Sequence, residues 1–240
     1  MISFYNRIAG RSVERLAALS DSIFSVAMTL LVLDLHVPEI ANVHSEHDLW
    51  VALTALTPRL IMFAMSFITL GIFWTSQQTQ LNQFAQCDRH LAWIHMSYLF
   101  GVSIMPFSTK LLSEFHDYRI ALVLYWLNIL SLGLLLLTSW AYATGAGHLK
   151  PGIDPQIRPA IYNRLISSQL LYALGALLCL FDNAFSIGFI ILIQLAYAFG
   201  PGLRGIRLFS ESATEPTPAG RIPTVDEAFS QSPPTQGPRS

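Results

Sequence analysis

The sequence predicts an all-α membrane protein with six transmembrane helices per subunit, and three observations predict it. Hydrophobic residues make up 52% of the 240 residues and charged residues only 12%. The mean hydropathy is +0.47, and a soluble domain of this length needs far more charge to cover its surface. Finally, the apolar residues gather into six runs of the length that crosses a bilayer, about 20 residues each. They cover 16–35, 50–74, 91–112, 120–143, 163–181 and 184–202.

The first run follows Arg7, Arg11, Glu14 and Arg15 and ends at Asp34 and Pro38. It has no small-residue cleavage site, so a retained helix is expected rather than a signal peptide. The second carries Pro58 and Arg59, with Arg59 partway into the helix as a snorkelling or interhelical cation or as part of an outer vestibule. The third contains Pro106, and the last two form a hairpin across Asp182 and Asn183. Residues 206–240 are rich in Pro, Ser, Thr and Gly and too poor in apolar residues to fold alone. The expected division is a membrane domain over 1–205 and a disordered cytoplasmic tail over 206–240.

Orientation follows from Lys and Arg in short loops. Arg7, Arg11, Arg15, Arg89, Lys150, Arg158, Arg164, Arg204 and Arg207 fall on one side, whereas on the other 36–48 and the turn at Asp182 hold no Lys or Arg and the loop between the third and fourth runs only Lys110 and Arg119. A multi-pass protein of the cell membrane with both termini cytoplasmic is therefore expected. The net charge of −1 argues against a nucleic-acid partner. Cys87 and Cys179 lack metal or disulfide spacing. His36, His44 and His47 are spaced too irregularly for a metal site, and with Glu39, Glu46 and Asp48 they read as a solvated acidic rim. No nucleophile motif, phosphate loop or HExxH pattern appears, so neither an enzyme nor a small-molecule substrate is expected. The halves show no repeat, so a pore would require several subunits around one helix.

The chemistry concentrates in the first run. Asp21 and Ser25 lie one turn apart and share a face. Val26, Thr29, Leu30 and Leu33 follow i, i+3, i+4, i+7 and form a second, apolar face with one hydroxyl. A carboxylate inside a span marks a functional site, whether it binds neighbouring helices or meets an ion directly. The apolar stripe is equally compatible with ordinary packing.

Arg15-x-x-x-Leu19-Ser20-Asp21-x-x-x-Ser25 resembles the RxxxFSDxxxS signature of the transmembrane protein 175 potassium channels, with Leu19 for Phe. The likeness continues through Thr29–Asp34, Ser66–Trp74 and Pro106-Phe107-x-Thr109. It implies a homotetramer in the lipid bilayer, with helix 1 of each subunit lining a central pore and potassium as the permeant ion. No cofactor is expected. Val26 would form the narrowest ring, Leu30 and Leu33 the next apolar layers, and Thr29 would offer a hydroxyl to the ion. Arg15, Ser20, Asp21 and Ser25 would be held by Trp74, Gln77 and His95, with Gln77 and His95 standing where the family has His and Asn. This arrangement places a titratable His95 near Asp21. The competing readings are a proton-coupled secondary transporter using Asp21 and His95, and a membrane scaffold without transport.

Overall fold

The computed structural model describes residues 12–35 and 44–199. Among them, seven α-helices occur and no β-strand beyond one isolated bridge. Ser12 caps the first helix, accepting from the Arg15 N–H at 3.2 Å, so α1 (Val13–Leu31) starts just ahead of the apolar run. A 3₁₀ turn over Val32–Asp34 extends it. Then follow α2 (Glu46–Ala55), α3 (Thr57–Leu81), α4 (Arg89–Glu114), α5 (Arg119–Gly145), α6 (Ile157–Leu177) and α7 (Asn183–Phe199). Five of the apolar helices are long enough to cross a membrane, and α7 is a shorter apolar helix of 17 residues. At 1.5 Å per residue, α7 measures about 25 Å. The expected tail, the segment 36–43 and the cations Arg7, Arg11, Arg204 and Arg207 lie outside the described residues.

The second span differs from its expected bounds. The run 50–74 is shared between α2 and α3, because Pro58 has no N–H to continue α2 and is tolerated only in the first turn of a new helix. Arg59 therefore stands in the opening turn of α3 rather than partway along it. At its other end α3 runs on to Leu81 through Thr75, Ser76, Gln77, Gln78, Thr79 and Gln80. Hydropathy stops at Trp74, but the helix does not. Gln77 and Gln80 are fully buried, and both find partners in other helices.

The core lies among α1, α3, α4, α5, α6 and α7, around Phe24, Leu70, Tyr98, Val102, Tyr125, Leu132 and Ile190. α1 packs on α3 and α4, and α5 packs on α4 and α6. Polar groups tie the helices as well, as suits a bundle whose surroundings offer hydrocarbon on both sides. Thr109 donates to Ser66 at 2.8 Å, Ser66 to the Tyr125 hydroxyl at 3.2 Å, and Gln194 to Thr69 at 2.6 Å. Gly133 leaves α5 open where the Gln169 side chain crosses it, and a Cβ there would sit 2.0 Å from the Gln169 amide nitrogen.

At the end of the bundle where α1 begins, the α3–α4 and α5–α6 loops clasp each other. Ala85 N–H donates to the His148 carbonyl at 2.8 Å and Lys150 N–H to that of Gln83 at 2.9 Å. Asp88 caps α4 by accepting from the Leu91 N–H at 2.8 Å, and it also accepts from the Tyr142 hydroxyl. Cys87 is buried beneath this clasp. Burial, and then the neighbouring Asp88 carboxylate, push its thiol up to about 11, which keeps it protonated and unreactive at neutral pH. In a Cys179→Ser background, maleimide labelling of Cys87 at pH 7 should be slow in mild detergent and fast after denaturation. Fast labelling of the native protein would mean that the clasp is open.

Candidate functional site

The site is the contact of α1 with the polar end of α3. The buried face of α1 is Leu16, Ser20, Phe24, Ala27 and Leu31, a repeat of three and four that points one stripe at α3 and α4. Asp21 is next to that stripe, and its Oδ1 accepts from the Trp74 indole N–H at 2.7 Å and from the Gln78 amide at 2.7 Å. Both donors come from one face of α3, a turn apart. Ser20 is fully buried; its hydroxyl donates to the Leu16 carbonyl at 2.9 Å and accepts from Gln77 Nε2 at 3.0 Å. The same nitrogen lies 3.2 Å from His95 Nδ1, and His95 Nε2 lies 2.9 Å from the Ser139 hydroxyl.

This geometry corrects one expectation. His95 serves Ser20 through Gln77, whereas the Asp21 contacts go to Trp74 and Gln78. Gln77 on α3 and His95 on α4 thus meet directly. Arg15 is exposed and makes no ion pair with Asp21 among the described residues, since six positions along a helix turn the two side chains well apart. Ser25 is exposed beyond Asp21.

The stripe expected to line a pore faces away from its own subunit. Val26 is 57% exposed, Leu30 44% and Leu33 69%, with Leu33 in the 3₁₀ turn rather than the regular helix. Thr29 is exposed too, and its hydroxyl donates to the Val26 carbonyl at 2.8 Å, leaving the oxygen's lone pairs outward. Met28, around the helix from Val26, packs against the core. At the far end of α1 the Ser113 hydroxyl donates to Asp34 at 2.6 Å, anchoring the helix to α4.

Two contributors escaped the sequence reading. Gln78 is one turn after Trp74, and that i, i+4 spacing was a usable signal. Ser139 sits in an apolar span, 44 residues from its partner His95, and nothing local marks it.

Fold and site together define a helical, multi-span membrane protein whose first helix keeps an apolar, hydroxyl-bearing face clear of the subunit core. The family model of the endosomal/lysosomal potassium channel TMEM175 matches residues 15–106, which include Ser20, Asp21, Trp74, Gln77, Gln78 and His95. A potassium channel of Streptomyces collinus is 29% identical over 192 residues, covering 78% of this chain and 84% of that protein. The endosomal/lysosomal proton channel TMEM175 of Mus musculus is 22% identical over 186 residues, covering 77% of this chain but 36% of its own length. In structure, the chain superposes with a TM-score of 0.68 and 25% identity on the crystal structure of a lysosomal potassium-selective channel TMEM175 homolog from Chamaesiphon minutus. That superposition covers 78% of this chain and 96% of the other. The chain is thus similar to proteins named as TMEM175 and potassium channels.

Proposed function

We propose that this chain is the subunit of a potassium-permeable leak channel of the cell membrane, a homotetramer with both termini cytoplasmic and four copies of α1 around the pore. The observation that carries the reading is the outward half of α1. It presents Val26, Leu30 and Leu33 together with Arg15, Asp21, Ser22, Ser25 and Thr29, all exposed on the single subunit. Hydrocarbon tolerates the apolar members of that set but not the charged ones. A central pore accommodates both. The names of the bacterial relatives supply the ion.

In this mechanism Val26 forms the narrowest ring and Leu30 and Leu33 the layers beyond it. A ring of such residues narrow enough to lose its water blocks ions without any charged gate. The four Thr29 hydroxyls stand one turn along and replace part of the ion's hydration. Asp21, held on α3 by Trp74 and Gln78, sets the angle at which α1 presents the stripe. The alternative, a proton-coupled transporter using Asp21 and His95, lacks support from a direct contact, because His95 is bonded to Gln77 and Ser139 instead. Native mass measurement of the detergent-solubilised protein tests the assembly. Four subunits are expected, and a monomer that conducts would overturn the shared-pore reading.

A further inference from the structure

The geometry points to Ser139, on α5, as a positioning residue for α1: it accepts the Nε2 proton of His95 and so seats the imidazole that, through Gln77, holds Ser20. The row Ser20–Gln77–His95–Ser139 crosses four helices, and every member is at most 1% exposed. Its bonds have one self-consistent direction. Gln77 reaches both Ser20 and His95 through Nε2, at 3.0 and 3.2 Å, while its Oε1 is buried without a hydrogen-bond partner. An amide nitrogen has two N–H donors and no lone pair to accept with, so both neighbours accept. Ser20 fits, because its own proton is committed to the Leu16 carbonyl.

The reversed amide would place the oxygen between Ser20 and His95 and strand two buried N–H groups. The observed one strands a single carbonyl oxygen, and orphaned donors are the rarer and costlier defect. His95 Nδ1 is therefore unprotonated. A neutral imidazole then carries its proton on Nε2, which points at the Ser139 hydroxyl 2.9 Å away.

Removing the Ser139 hydroxyl leaves that buried N–H with no acceptor. The imidazole is then no longer seated to accept from Gln77, and the Gln77 donor to Ser20 loosens with it. Ser139 thus acts on a helix that packs on α3 and α4, while it is itself carried by α5.

The inference rests on the channel reading only for its effect on current, and the test separates the two. Nitrogen-15 NMR of histidine-labelled full-length protein in lipid, with His95 assigned by its loss in His95→Asn, reads the tautomer. Potassium currents are recorded for the same proteins. The wild type should show His95 protonated on Nε2 alone. Ser139→Ala should leave the proton on Nε2, move the Nε2 shift to that of an N–H without an acceptor and change the open probability, and Ser139→Thr should restore the shift and the open probability. Wild-type His95 protonated on Nδ1 overturns the inference without any variant, so a poorly folding Ser139→Ala does not shield it. An unchanged Nε2 shift in Ser139→Ala, or a changed shift with unchanged current, overturns it equally. The expected tautomers in a wild-type protein that passes no potassium would leave the relay standing and sink the channel reading.

Discussion

Val26→Asn is expected to raise the basal potassium current about tenfold or more, and Val26→Leu to lower it. The closed pore proposed here is a dry ring, and the barrier is the work of taking an ion through a span too narrow and apolar to keep water. One amide per subunit lets that ring hold water. Polar groups in apolar surroundings exchange free energies of ~1–3 kcal/mol, and ~1.4 kcal/mol off a barrier is a factor of ten. The leucine substitution acts the other way by adding a methylene to each of four positions. Met28→Asn is the control: Met28 packs against the subunit core, so the amide is expected to lower stability without opening the pore. Single-channel recordings read the currents, and thermal unfolding in detergent reads the stability. If Val26→Asn and Met28→Asn behave alike, the stripe is a packing surface and the α1 pore is wrong.

Asp21→Ala should be the most destabilising single change in the α1–α3 contact. Trp74 and Gln78 both donate to the same carboxylate oxygen at 2.7 Å, and alanine strands both donors. Hydrogen bonds to charged groups contribute ~1.5–3 kcal/mol each, and this part-exposed contact falls at the lower end of that range. Asp21→Asn keeps one acceptor oxygen where both donors converge, so it should retain part of the stability while removing the charge. Size-exclusion chromatography and thermal unfolding distinguish the two. Equal loss in Asn and Ala would show that charge, rather than the hydrogen-bond geometry, holds the contact.

The architecture was legible because length and hydropathy alone identify helices that cross a bilayer, and both follow directly from residue type. α1 was the clearest part, since its motif and its stripe of Val26, Thr29, Leu30 and Leu33 have helical spacing and needed no partner to be recognised. The polar end of α3 was harder. Gln77, Gln78 and Gln80 look like a loop to a hydropathy window, yet they continue the helix, and their amide nitrogens find partners in other helices. Those residues are the site, so the same polarity that hid the end of the span marks its use. The link of His95 to Ser20 rather than Asp21 depends on which rotation brings α4 against α3, and no one-dimensional pattern encodes that. Ser139 is invisible for the same reason, being one hydroxyl in an apolar helix.

The most direct test of the central claim is the reversal potential of purified protein in a planar bilayer, with potassium on one side and sodium on the other. The account predicts unitary currents that reverse toward the potassium equilibrium potential. Thr29→Val should move that reversal potential toward zero while changing the open fraction less. Flux without unitary currents, coupled to a proton gradient, would contradict the account and favour a carrier.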